Sequence, residues 1–182
     1  MNRARVLGVA GWSGSGKTTL IVRLIPLLVE RGLRIATIKH ADAGFDVDQP
    51  RKDSYEHRKA GAGEVIVSSA RRWVQMHEVA GGAEATLAEL LARLSPCDLV
   101  LVEGYKRERH PKLEVLRRAL GQRPLYLSDP RIVAVASDQP EPRASVPVVD
   151  LNDLAAVAEV VEARAETLAS VLALLTGADD PR

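Results

Sequence analysis

Val6-Leu7-Gly8-Val9-Ala10-Gly11-Trp12-Ser13-Gly14-Ser15-Gly16-Lys17-Thr18 runs from an apolar segment into a glycine-rich turn, and the apolar, helix-like stretch Thr19 to Val29 follows directly. Strand, loop and helix in that order make a phosphate-binding loop of the form G-x-x-x-x-G-K-T. Gly11, Gly14 and Gly16 reach backbone angles closed to residues with a Cβ, so successive N–H groups turn inward and form an anion nest. The cradle is expected from Gly11, Ser13, Gly14, Ser15, Gly16, Lys17, Thr18 and Thr19. Lys17 brings a mobile charge to the β- and γ-phosphates and is a candidate catalytic group, and Thr18 offers a hydroxyl to Mg²⁺. The helix that starts there points its positive dipole end at the ligand. The pattern implies a site for a nucleoside triphosphate.

At 182 residues the chain fits one domain. It is expected to span 1–176, with an extension around 64–79 and a frayed tail at 177–182. Twenty-five basic and twenty-four acidic residues leave a formal charge of +1, which argues against general attraction to nucleic acid or to an anionic membrane. Cys97 is the single cysteine, so an internal disulfide and a multi-cysteine metal site are excluded. It reads as a small apolar residue beside a buried strand. Arg3 and Arg5 precede an apolar run that stops too soon for a signal peptide or a membrane span, and the reading is a cytoplasmic protein. With 3% aromatic residues the core must be Val, Leu, Ile and Ala, and stacking platforms for single-stranded nucleic acid are not expected.

Val6 to Ala10 reads as a buried strand, and Lys17 to Arg31 as a helix closed by Gly32, with Pro26 expected to kink or split it. Arg34 to Ile38 is a second strand, ending at Lys39-His40. Ala41 to Lys52, with Asp42, Asp46 and Asp48, reads as a long mobile loop. Asp53 and Glu56 suggest a capping box opening a short helix, Ser54 to Ala60. Glu64 to Ser69 and Arg72 to Val79 suggest a hairpin, and Ala83 to Leu94 a helix with Leu87, Leu90, Leu91 and Leu94 on one face. Leu99 to Glu103, Lys112 to Arg117, Ile132 to Ala136 and Val146 to Leu151 read as strands, the second of them alternating. A single long helix capped by Asn152 or Asp153 is expected to run to about Leu175. Strands and helices in this order predict an α/β fold of the P-loop NTPase type. Its mostly parallel sheet carries helices on both faces, plus a β-hairpin-like extension.

Ligands of such sheets sit outside the carboxyl ends of the strands, so Gly11 to Thr18, Lys39-His40 and Glu103 to Lys106 should converge. Glu103 closes an apolar strand where an acid can hold Mg²⁺ through water, or it merely caps the strand; with Thr18 it is the expected metal pair, and it is the second candidate catalytic residue. Asp98, at the other end of that strand, is discounted. Lys39 and His40 would add positive charge beside the phosphates, or hold a phosphate on a second molecule. His40 is otherwise a proton carrier or a polar strand end. Asp48, Lys52 and Asp53 could reach the metal or the attacking water, and Asp53 is a third candidate catalytic residue. Lys106-Arg107-Glu108-Arg109-His110 is either a solvated charge run or a seat for an anionic second ligand. His57, His77 and Arg71-Arg72 read as structural or surface residues. There is no Asn-Lys-x-Asp run to read guanine, but Asp138 follows a buried strand and either accepts from guanine N1 and N2 or shapes a turn. No glutamine or arginine finger is evident, which predicts slow turnover.

The phosphate loop together with Thr37-Ile-Lys-His40, Asp46-Val-Asp48, Lys52-Asp53-Ser54-Tyr55, Arg58-Lys-Ala-Gly61 and Leu101-Val-Glu-Gly-Tyr-Lys106 resembles the molybdopterin-guanine dinucleotide biosynthesis protein B (MobB) family from about Val6 to Ala136. The resemblance implies a GTP-binding, Mg²⁺-dependent homodimer with weak GTPase activity. Such a protein serves as an adapter to the guanylyltransferase that completes the molybdenum cofactor. It also implies that the segment from Glu64 to Val79 helps build the dimer, and it makes a molybdopterin-type anionic ligand a candidate for the basic run. Tyr105 stands where the family often has Phe, and Ala119 to Pro130 and the helical C-terminus match no motif of it. Two rival readings remain beside the adapter: a P-loop small-molecule kinase using ATP or GTP, with Lys39, Asp53 and the basic run binding the acceptor, and a non-catalytic nucleotide-binding module.

Overall fold

Alternation along the first strand organises the larger part of the molecule. In β1, Arg5–Ala10, Leu7 and Val9 point to one face of a sheet and Val6 to the other, and all are fully buried. The computed structural model describes residues 4–41, 44–79 and 81–177. Arg3, Asp42 and the expected tail beyond Gly177 lie outside them. The chain forms two compact units, Met1–His40 with Leu87–Arg182, and Ala41–Thr86.

The first unit carries β1, α1 (Lys17–Glu30), β2 (Ile35–Lys39), α3 (Leu87–Ala92), β5 (Leu99–Glu103), β6 (Lys112–Leu116), β7 (Ile132–Ser137), β8 (Val148–Asp150), α4 (Leu154–Arg164), β9 (Glu166–Thr167) and α5 (Leu168–Thr176). The strands lie in the order β2-β5-β1-β6-β7-β8, all parallel, and β9 pairs antiparallel with Arg5 and Val6 of β1. On one face Leu7, Val9, Leu101 and Leu113 pack against Leu20, Leu24 and Leu28 of α1 and Val157 and Val161 of α4. On the other, Val6, Val100 and Val102 meet Leu87 and Leu91 of α3 and Val171 of α5. This is the mostly parallel α/β sheet, covered on both faces, that the element order predicts. Among the described residues no helix is long and apolar enough to cross a membrane.

The second unit holds α2 (Asp53–Lys59) and an antiparallel hairpin of β3 (Glu64–Ser68) and β4 (Trp73–His77), the predicted extension. Arg58 of α2 is its hub, paired with Asp46, Asp48 and Glu78.

Several local expectations change. Pro26 sits inside α1 without splitting it: Pro26 and Val22 lie on the exposed side, where water can serve the carbonyl that lacks an N–H partner. Asp53 is the first helical residue of α2 rather than its cap; the cap is Lys52, which makes no side-chain capping bond. The helix expected over Ala83 to Leu94 shortens to Leu87–Ala92. The final long helix is two helices: Ala165 turns extended, β9 joins β1, and Thr167 caps α5 by accepting from Ser170 N at 3.2 Å. Asp153 caps α4 as predicted, accepting from Ala156 N. Gly177, assigned to a frayed tail, ends α5 in the left-handed conformation.

β6 departs furthest from its pattern. Its polar residues, Lys112 and Glu114, are buried, because the strand lies between β1 and β7 with no solvent face. Lys112 Nζ pairs with Asp129 at 3.0 Å, and Glu114 accepts the N–H groups of Leu125 and Tyr126 at 2.7 and 2.9 Å. Burial pushes the Lys112 ammonium down and the Glu114 carboxyl up from their ordinary values.

His110, counted in the basic run by its sequence, is completely buried, and neither ring nitrogen has a hydrogen-bond partner. Burial, reinforced by the neighbouring Lys112 charge and only partly opposed by Asp129, lowers its pKa from 6.5 to about 3. The unfolded chain therefore takes up a proton below pH 6.5 that the folded chain refuses until near pH 3. Stability is full above 6.5 and falls as the pH drops through that window. Between pH 7.5 and 5.5 this one group removes about 1.3 kcal/mol, or roughly 3–5 °C of Tm in a chain of this size. In His110→Leu the fall in Tm between the two pH values is expected to shrink by that amount; thermal unfolding with an unchanged pH slope would exclude His110 as its source.

Candidate nucleotide-binding site

The loop from Gly11 to Gly16 leaves β1 at its carboxyl end and opens α1. Gly11 has φ of +147°, and a Cβ there would lie 2.6 Å from the backbone carbonyl of Val115 in β6, so the loop can hug the neighbouring strand only as glycine. Ser15 N donates to Trp12 O at 3.1 Å and closes the turn, while the Ser15 hydroxyl is buried without a partner. Gly16 precedes α1 with no side chain to cap it, and the first turn holds no acidic residue. No capping side chain or carboxylate of that turn competes with an anion for the helix's positive end. Lys17 Nζ donates to Trp12 O at 3.0 Å, folding back over the loop. The Trp12 indole donates to Arg123 O at 2.8 Å, and Lys106 Nζ stands 5.4 Å from the ring centroid.

β5 lies next to β1, and its last residue meets the first turn of α1. Thr18 Oγ1 donates to Glu103 Oε1 at 2.6 Å, and Lys39 Nζ, from the end of β2, is 3.4 Å from that hydroxyl and 3.5 Å from that carboxylate. The predicted metal pair and the predicted second cation thus form one cluster. A hydroxyl and a carboxylate are hard oxygen donors of the kind that Mg²⁺ accepts beside phosphates and water, so the residues present fit the ion. Gly104 lets β5 end there: its φ is +93°, and a Cβ would sit 2.7 Å from His40 Cβ. His40 accordingly packs against the turn, its ring 4.9 Å from that of Tyr105, and its N–H donates to Glu103 O.

Asp138 directly follows β7 on the other side of the loop. Oδ1 accepts from Arg118 N at 3.0 Å, and Oδ2 is 3.9 Å from Arg117 Nη1. The carboxylate thus holds the start of the segment after β6, twenty residues away, and it also stands beside a cation that no motif marked: Arg117 Nε donates to Ser15 O at 3.0 Å. Arg117 follows β6, the other neighbour of β1, and only the strand order makes it adjacent to the loop. Asp98 lies at the opposite end of β5, gripped by Arg34 at 2.9 and 3.0 Å, whose hydrogen bonds hold its carboxyl at about 2. Asp53 belongs to the second unit, as does Asp48, which accepts from Ser54 Oγ at 2.9 Å and faces Arg58 at 3.4 Å. His57, His77, Arg71 and Arg72 are exposed, and Lys106, Arg107 and Arg109 are solvated.

A family model for molybdopterin guanine dinucleotide synthesis protein B, MobB, matches residues 6–138, from β1 to Asp138. The chain belongs to the MobB family. It is 46% identical over 159 residues to the molybdopterin-guanine dinucleotide biosynthesis adapter protein of Escherichia coli (strain K12), covering 86% of this chain and 90% of that one. The adapter protein of Haemophilus influenzae is 38% identical over 162 residues, with 88% and 89% covered. A crystal structure of molybdopterin-guanine biosynthesis protein B superposes with a TM-score of 0.68 at 28% identity, over 87% of this chain and 97% of that one. The family-model match ends at Asp138, ahead of β8, α4, β9 and α5, and so leaves out the helical C-terminus, which carried no recognisable motif.

Proposed function

We propose that this MobB protein is a GTP-binding adapter in molybdopterin-guanine dinucleotide synthesis that hydrolyses GTP slowly with Mg²⁺ and works as a homodimer with the guanylyltransferase. The observation that carries the reading is the Thr18–Glu103 bond at 2.6 Å, beside Lys39 and at the mouth of a glycine-lined helix start. In this reading the amides from Gly11 to Thr19, with Ser13 and Ser15 among them, hold the triphosphate. Thr18 and Glu103 hold Mg²⁺, which supplies charge compensation when bound. Lys17 and Lys39 neutralise the outer phosphates, and Asp138 reads guanine. Slow turnover follows from the lack of a glutamine or arginine finger in the sequence. The exposed Lys106, Arg107 and Arg109 suit an anionic, molybdopterin-type ligand.

Titration of GTP and of ATP with Mg²⁺, alone and with the guanylyltransferase, tests this. Expected are at least tenfold preference for GTP and a slow release of phosphate. Equal affinity for the two nucleotides, or transfer of the γ-phosphate to a small acceptor faster than to water, would refute it.

The hairpin supports the dimer. Ile66 and Trp73 on one of its faces and Val67 and Val74 on the other are all exposed, an apolar surface that a lone two-stranded ribbon does not hide. Ile66→Glu with Trp73→Glu is expected to turn a dimer into a monomer in sedimentation equilibrium while leaving GTP affinity within twofold. A dimer of undiminished strength would clear the hairpin of that role.

A further inference from the structure

Arg117 lies where two parts of the site meet. Its Nε donates to Ser15 O at 3.0 Å, inside the phosphate loop. The guanidinium lies over Gly16, whose missing Cβ would stand 3.5 Å from Nε and 3.6 Å from Nη2. Its far edge, Nη1, is 3.9 Å from Asp138 Oδ2, and the other oxygen of that carboxylate is fixed by Arg118 N at 3.0 Å. The side chain is 40% exposed, so a ligand in the loop can reach it. A planar fork can grip a carbonyl with one edge and face a carboxylate with the other; a lysine ammonium is a single point and cannot span both.

We propose that Arg117 is a positioning residue that couples the phosphate loop to base reading at Asp138. The proposal rests on the GTP reading and goes beyond it, because it names the side chain through which one end of the nucleotide senses the other. By holding Ser15 O, Arg117 sets the peptide plane that orients the Gly16 amide in the nest. By facing Asp138 Oδ2, it holds that carboxylate in the pose in which it can accept from guanine N1 and N2. A triphosphate without a base needs only the first action, and GTP needs both.

Calorimetric titration of GTP, inosine triphosphate and inorganic tripolyphosphate, each with Mg²⁺, separates the two. In Arg117→Met, GTP affinity is expected to fall ten- to hundredfold and tripolyphosphate affinity by no more than threefold. The preference for GTP over inosine triphosphate, which lacks the N2 amino group, should shrink toward one. Arg117→Lys should behave like Arg117→Met, and the double variant with Asp138→Asn should lose no more than the larger single loss, the signature of coupled residues. Equal losses for GTP and tripolyphosphate, full rescue by lysine, or additive losses with Asp138→Asn would overturn the coupling. Arg117→Gln, checked for folding by thermal unfolding, keeps a planar donor but is too short to span both partners and should lose the preference as well; wild-type preference in it would overturn the proposal. A wild-type protein that binds tripolyphosphate yet shows no preference among nucleotides would instead sink the GTP reading on which the proposal stands.

Discussion

Lys17→Ala is expected to lower GTP affinity by roughly two orders of magnitude with little change in Tm. The ammonium lies at the start of α1 and folds back onto Trp12 O at 3.0 Å, so it already stands over the nest proposed to receive phosphate. A charge-assisted hydrogen bond to an anion is worth about 1.5–3 kcal/mol, and each 1.4 kcal/mol is about tenfold in affinity. The fold loses much less, because the side chain is only partly buried and its bond to Trp12 O is one that water can serve equally well. Calorimetric titration with GTP, and thermal unfolding of both proteins without nucleotide, measure the two quantities. Affinity within threefold of wild type would remove the loop from the binding site. A Tm drop of more than about 5 °C would mean that Lys17 supports the fold rather than the ligand.

What could be read from residues alone follows from how local the signals are. The phosphate loop announces itself because its glycines, lysine and threonine act within eight consecutive positions, and Glu103 because a fully apolar strand ends on one acid. Strand order is not local. That β6 is the second neighbour of β1, and so brings Arg117 onto Ser15, depends on pairings between residues a hundred positions apart. For the same reason the alternation from Lys112 to Arg117 marks a strand but not the burial of Lys112 and Glu114, whose partners, Asp129 and the amides of Leu125 and Tyr126, stand in the segment that matched no motif. The break at Ala165 escaped for another reason: the Ala/Val/Glu-rich stretch holds no Gly or Pro to interrupt a helix, and a Thr cap is a weak mark against one. What stops α4 is tertiary, the pairing of Glu166 and Thr167 with β1.

Gly8→Val is expected to destabilise the protein by about 3 kcal/mol, against what β-propensity alone would predict. Gly8 lies in the middle of β1, where a branched residue would normally help. Here a Cβ would meet His110 Nε2 at 2.4 Å, His110 Cδ2 at 2.8 Å and Lys112 Cγ at 2.9 Å. Neither neighbour has room to yield. His110 is completely buried and Lys112 is 1% exposed, and moving the lysine stem pulls its ammonium from Asp129, leaving an uncompensated charge in the interior. At about 2–4 °C per kcal/mol in a chain of this length, Tm should fall by roughly 6–12 °C. His110→Ala in the same chain opens the space that valine needs, so the double variant should regain at least half of the loss even though each single change destabilises. Denaturant titration of the four proteins measures this. A mild effect of Gly8→Val alone, or losses that simply add, would mean that the imidazole does not rest on β1. The distance between them also links this strand to the phosphate site: Gly8 stands three residues before Gly11, so β1 that bows away from His110 carries the loop with it, and GTP affinity should recover with Tm in the double variant.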